Sequence, residues 1–157
     1  MQIERSSTGF ARIPNNSSLY GVRLEMKLNE RSINCLDGVN PDLQRVIYRA
    51  AEISPLEFVV TEGTRTTMRQ SELKAKGASQ TMKSRHVPQC NQCGLSCAVD
   101  LAVVIDGDIR WDWPLYYKLA DSVKEAAEIE GVPLEWGGDW LKFKDGPHFQ
   151  LPWSKYP

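Results

Sequence analysis

The sequence predicts an α+β fold: a single small domain in which a mainly antiparallel sheet packs with about three helices. Three observations carry this. A length of 157 residues suits one domain. Helical and strand-like stretches are mixed without an internal repeat, and a hairpin falls between the second and third predicted helices. In chain order, Val22, Leu24, Met26 and Leu28 alternate with charged residues and read as an exposed edge strand. Asn40-Pro41-Asp42 supplies a cap and a first-turn proline for a helix over about 41–53, with Leu43, Val46, Ile47, Ala50 and Ile53 on one face. Ser54-Pro55 stops it, and Glu57 to Thr61 is a β-branched and aromatic run of strand length. A second helix is expected from near Thr66 until Gly77, followed by a loop over 78–85. Ala98 to Ile105 is the most strand-like stretch, and Asp106-Gly107 turns it into a partner strand at Ile109 to Trp111. Asp112 and Pro114 open a third helix, striped with Leu115, Leu119, Val123, Ala126 and Ile129 and ended by Gly131. Short strands are expected at Leu134 to Trp136 and at His148 to Leu151. We divide the chain into an N-terminal extension, 1–30, and a domain over 31–157.

With 19 basic and 20 acidic side chains, the formal net charge is -1. There is no global attraction to nucleic acid or to an anionic membrane surface. No apolar run approaches the roughly 20 residues needed to span a bilayer, and the first residues lack a signal-peptide layout. The expectation is a chain made in the cytoplasm, acting as a monomer without nucleic acid or membrane insertion. Cys35 stands alone while Cys90, Cys93 and Cys97 crowd together, which suggests a local clip and not a disulfide framework.

The chain has two histidines, His86 and His148, so any site needing two imidazoles uses both. His86 ends a loop before the strongest strand. Asp100 lies within that strand among Ala, Val and Leu, where an unpaired carboxylate is costly. His148 opens another strand, and Asp145 precedes it by three positions across a Gly-Pro turn. A hydrolytic zinc takes three ligands from His and Asp or Glu and leaves one position for water. His86, Asp100 and His148 meet that requirement, and Asp145 is the candidate carboxylate to shuttle a proton. The competing reading makes both histidines structural.

Several strings bear on the choice. Ser84-Arg85-His86, Ala98-Val99-Asp100-Leu101 and Asp145-Gly146-Pro147-His148-Phe149 resemble the signature segments of the zinc D-Ala-D-Ala carboxypeptidase (VanY-like) family. Leu36 to Leu43, Thr61 to Thr66, Gln70, Gly77-Ala78-Ser79 and Trp136 to Trp140 make the likeness greatest to its phage endolysins of the L-alanyl-D-glutamate endopeptidase type. That resemblance implies a zinc site at the sheet, ligated by His86, Asp100 and His148, with Asp145 as general base and acid. It implies that Arg65 stabilises the oxyanion, where a guanidinium acts most strongly on developing charge; a surface salt bridge is the alternative. It implies a peptidoglycan stem as substrate, and a protein held in the host cytoplasm until lysis opens the way to the periplasm and wall. Ser84 is a candidate substrate contact or a turn residue, Gln70 a substrate contact or a bracing amide, and Trp136, with Trp140, a groove wall or ordinary core. Trp111, Trp113 and Trp153 are assigned to packing.

One departure from the family pattern is the spacing of the first two ligands. Thirteen residues separate His86 from Asp100, where a short Gly-containing link is usual. Lengthening a loop between fixed ends costs only about 0.6 kcal/mol per doubling, so convergence is still expected. The insertion, about 87–97, holds Cys90, Cys93 and Cys97. A stapled loop is favoured over a second, structural zinc. The competing functions are a D-Ala-D-Ala carboxypeptidase or dipeptidase, and a non-catalytic zinc-binding or wall-binding module using the cysteines with His86.

Overall fold

The computed structural model describes residues 28–157. The strand expected over Val22 to Leu28 falls, Leu28 apart, outside these residues, as does most of the 1–30 extension. Four α-helices are present among the described residues: α1 (Glu30–Cys35), α2 (Pro41–Ile53), α3 (Thr67–Ala75) and α4 (Trp113–Glu130). The strands are β1 (Phe58–Glu62), β2 (Ala98–Ile105), β3 (Asp108–Arg110), β4 (Glu135–Trp136) and β5 (His148–Gln150). The three expected helices are present, and a fourth joins them. The addition is α1, capped by Asn29, whose side chain accepts from the Ser32 amide at 2.8 Å. The hairpin strand β3 begins and ends one residue earlier than expected. Asp106 adopts φ 51° and Gly107 φ 85°, the left-handed pair that a tight hairpin needs.

The sheet has the order β1-β2-β5-β4, with β3 pairing the far end of β2, and all of these pairings are antiparallel. Alternation along β2 divides its two faces. Val99, Leu101 and Val103 enter the main core with Val60, Phe149 and Leu151, under the buried stripes of α2 (Leu43, Val46, Ile47, Ala50) and α4 (Leu119, Val123, Ala126). Asp100 has the opposite parity and faces away from the helices.

Strand register then assembles a site on that other face. Asp100 pairs directly with His148 on β5 and with Glu62 on β1. Directly opposed residues project to the same face with Cβ atoms about 4.5–5.5 Å apart. Glu62 would share the core-facing parity of Phe58 and Val60, but the register shifts between Val60 and Glu62 and re-aims it toward Asp100.

Side-chain and backbone hydrogen bonds organise the cysteine-containing insertion. Asn91 donates to the carbonyls of Arg85, Val87 and Leu95 and accepts from Arg85 at 2.6 Å. Ser96 ties the loop's end to Gly38 and Asn40 through backbone bonds. His86 and Asp100 are thereby brought together despite the intervening length.

Candidate metal centre and its groove

His86 Nε2, Asp100 Oδ1 and His148 Nδ1 lie 3.2, 3.2 and 3.3 Å from one another. The far nitrogen of each ring is engaged elsewhere. His86 Nδ1–H donates to the Gly63 carbonyl at 2.8 Å, and His148 Nε2–H donates to Gln150 Oε1 at 2.8 Å. These bonds select the tautomers whose bare nitrogens face Asp100. Three lone pairs so close repel one another unless positive charge sits among them. A tetrahedral zinc with bonds of about 2.0–2.1 Å separates its ligands by about 3.3–3.4 Å, which the observed edges match. The donor set therefore fits such an ion, and it is the one group of this kind among the described residues.

The charges of the three side chains act on one another. Burial works against the Asp100 carboxylate, yet His86 and His148 hold its pKa well below the usual range. Burial works against charging His148, but the bond to Asp100 raises its pKa. Gln150 is itself anchored, its amide donating to Glu135 Oε2 at 2.9 Å. Gly63 cannot carry a side chain, because a Cβ there would stand 1.9 Å from the Cys35 carbonyl oxygen. The acceptor for His86 is thus seated against α1.

The three residues open onto a groove of about 800 Å³, also lined by Glu62, Arg65, Ser84, Trp140 and Asp145. Asp145 stands at its rim. Burial among the surrounding groups raises its pKa, helped by Asp100 and opposed by His148, His86 and Arg65. The turn that carries it is packed tightly: Trp136 Nε1 donates to the Gly146 carbonyl at 2.7 Å, and a Cβ on Gly137 would meet the Asp145 carbonyl oxygen at 2.4 Å.

Arg65 is buried and makes a two-pronged bond to Glu62, with Nε at 2.8 Å and Nη2 at 2.5 Å. Its Nη1 donates to Gln70 Oε1 at 2.7 Å. Burial opposes its charge, but Glu62, Asp100 and Asp145 raise its pKa. Of the five N–H donors of a guanidinium, three are used in these bonds and two remain, with Nη2 at 3.7 Å from Asp100 Oδ2.

Gln70 is fully buried, and its amide nitrogen donates to Ser79 Oγ and the Thr81 carbonyl. It braces Arg65 and does not line the groove. Of the two tryptophans expected as groove walls, Trp136 is buried and stacked on Phe149 at 6.3 Å, which corrects the expectation for it, while Trp140 lines the groove 5.2 Å from the His148 ring. Trp153 also lines the groove, and Trp111 is 55% exposed, so neither is only a packing residue. Ser84 combines a turn role with groove lining, its Oγ accepting from the His86 amide. Cys90 points to the Met82 carbonyl, Cys93 and Cys97 sulfurs are 3.8 Å apart, and all four cysteines are free thiols. No cysteine-based metal group occurs among the described residues, and His86 is engaged with Asp100 and His148 instead.

Glu62, Gln150 and Glu135 were not singled out from the sequence. For Gln150 a signal existed, since a residue two positions after His148 on a strand shares its face.

A small α+β domain with a His/Asp/His group at its sheet is the class that fold and site define. Residues 24–151 match the model of the phage L-alanyl-D-glutamate peptidase family, and the chain belongs to that family. It is 31% identical over 121 residues to the L-alanyl-D-glutamate peptidase of Escherichia phage T5, covering 74% of this chain and 83% of that protein. To the peptidoglycan L-alanyl-D-glutamate endopeptidase CwlK of Bacillus subtilis it is 34% identical over 112 residues, 65% of each chain. The crystal structure of the Serratia marcescens L-Ala D-Glu endopeptidase ChiX superposes with a TM-score of 0.74 at 41% identity, covering 83% of this chain and 94% of that one.

Proposed function

We propose that this protein is a zinc-dependent peptidoglycan endopeptidase that hydrolyses the bond between L-alanine and D-glutamate in the peptide stem. The observation that carries the reading is the meeting of His86, Asp100 and His148 at ligand spacing in the groove that also holds Asp145 and Arg65, in a chain of this family.

His86, Asp100 and His148 would hold the ion, with Gly63 and Gln150 orienting the two rings. When bound, zinc supplies the Lewis acidity that polarises a carbonyl and acidifies water. Asp145 accepts the proton of the attacking water and delivers it to the leaving amine. Burial raises its pKa, which favours its taking up that proton. The two free N–H groups of Arg65 meet the charge that develops on the carbonyl oxygen. Glu62 and Gln70 position that guanidinium, so the groove does not have to order it during the reaction. Ser84 and Trp140 line the path of the stem. On this reading the protein is a phage lysin that waits in the host cytoplasm, reaches the wall at lysis and works as a monomer, with 31–157 as the catalytic domain.

The test is to digest purified peptidoglycan with the protein, with and without chelator, and with Asp145→Ala. New N-terminal D-glutamate is expected with the untreated wild type alone. Equal release in all three samples would defeat the mechanism, and free D-alanine as the product would instead indicate a carboxypeptidase.

A further inference from the structure

The groove carries more positive charge than the reaction requires. Lys83, Lys142 and Lys144 all line it beside His86, Asp145 and His148. Among the described residues the one lysine that engages an acid is Lys124, on Asp139. Two of the groove's three acids are occupied differently: Glu62 grips Arg65 and Asp100 faces the two histidines, which leaves Asp145 as the third. Lys83 is also held in place, its Nζ lying 4.5 Å from the centre of the Trp153 ring, whose indole also stacks with Arg85 at 4.0 Å. Trp153 and Lys83 continue into a second cavity of about 510 Å³, reached past Thr81 and lined by Cys90, Gln92 and Pro157. Lys142 and Lys144 flank Phe143 in the segment that leads to Asp145.

In a chain whose formal net charge is -1, three ammonium groups gathered at one groove select for anionic substrate. A D-glutamate joined through its side-chain carboxyl keeps its α-carboxylate, on the same carbon that bears the nitrogen released by hydrolysis. We propose that Lys83, Lys142 and Lys144 form a carboxylate-reading rim, which makes the enzyme prefer stems with a free α-carboxylate over stems amidated at that position. This inference rests on the endopeptidase reading above and adds a determinant of specificity to it.

The experiment compares two synthetic stem peptides, L-alanyl-γ-D-glutamyl-L-lysine and its D-isoglutaminyl counterpart, with zinc-loaded enzyme. A charge-assisted hydrogen bond predicts a kcat/KM ratio of about tenfold in favour of the free carboxylate. The ratio is expected to fall toward one in Lys83→Met and in the double variant Lys142→Met/Lys144→Met, and in wild type at about 1 M salt, where the screening length is about 3 Å. Lys118→Met, on the exposed side of α4, should keep it. Equal kcat/KM for the two peptides, or a preference that persists in both lysine variants, would overturn the inference while leaving the endopeptidase reading intact. Cleavage of neither peptide would overturn the endopeptidase reading and this inference with it.

Discussion

Gln150 offers a sharp test of how the metal centre is built, because its bond to the three proposed ligands is made to His148 alone. Its Oε1 accepts the His148 Nε2–H at 2.8 Å, in a place where His148 is 7% exposed. Gln150→Leu keeps much of the volume but removes the acceptor. The buried N–H is then unsatisfied, at about 1–3 kcal/mol, and the ring is free to take the tautomer that withdraws its lone pair from the ion. Partners of this kind typically account for about 10–100-fold in metal affinity, or about 1.4–2.7 kcal/mol. The assay is competition for zinc against a chromogenic chelator, with thermal unfolding of the metal-free proteins alongside to separate loss of fold from loss of affinity. Glu135→Gln, one bond further out, should show a smaller loss. An unchanged zinc affinity in a folded Gln150→Leu protein would refute the assignment of His148 Nδ1 as the ligand atom.

Other outcomes follow from the same geometry. Gly137→Ala forces a Cβ to 2.4 Å from the Asp145 carbonyl oxygen; it should cost about 1–3 kcal/mol in unfolding experiments and lower hydrolysis further by displacing the Asp145 turn. Burial pushes the Cys97 thiol up to about 12, so at pH 8 an alkylating reagent should modify exposed Cys93 and spare Cys97, as peptide mass mapping will show. Tyr156 donates to Asp42 Oδ2 at 2.7 Å, and this bond, with that of Arg45, lowers the Asp42 pKa. A lowered carboxyl pKa gives stability that is present above the unfolded value and lost as pH falls through the folded one. Tyr156→Phe should therefore cost about 1 kcal/mol or less at pH 7, and the penalty should shrink in acid; denaturant unfolding at both pH values checks the sign.

Local signals in the chain account for much of the scaffold. Asn40-Pro41 marked the start of α2, and the Asn40 side chain does accept from the Asp42 amide at 3.0 Å. Gly131 ends α4 in the left-handed conformation, φ 65°, as its place after an apolar stripe implied. The six-residue α1 escaped notice because so short a helix has little periodicity. Its stability is tertiary: Ser32 Oγ accepts from the Val60 amide at 2.9 Å across to β1. The residues of the site were legible as chemistry, since two histidines and one strand-embedded aspartate left few combinations. Their supports were not. Glu62 reaches Arg65 and faces Asp100 only because β1 changes register beside it, and Gln70 reaches Arg65 from within a helix whose sequence has no strong apolar face. The different fates of Trp136 and Trp140 have a similar origin: both flank the same Gly-Gly pair, and only the packing of Trp136 on Phe149 and Gly146 decides which ring is inside.

Zinc content and stem cleavage, measured on the same preparations of wild type, His86→Ala, Asp100→Ala, His148→Ala and Asp145→Ala, test the central claim most directly. The expected result is one zinc per chain and hydrolysis in wild type, loss of both in each of the first three variants, and retained zinc without hydrolysis in Asp145→Ala. Full hydrolysis by a zinc-free wild type, or undiminished zinc in the folded His86→Ala and His148→Ala proteins, would contradict it.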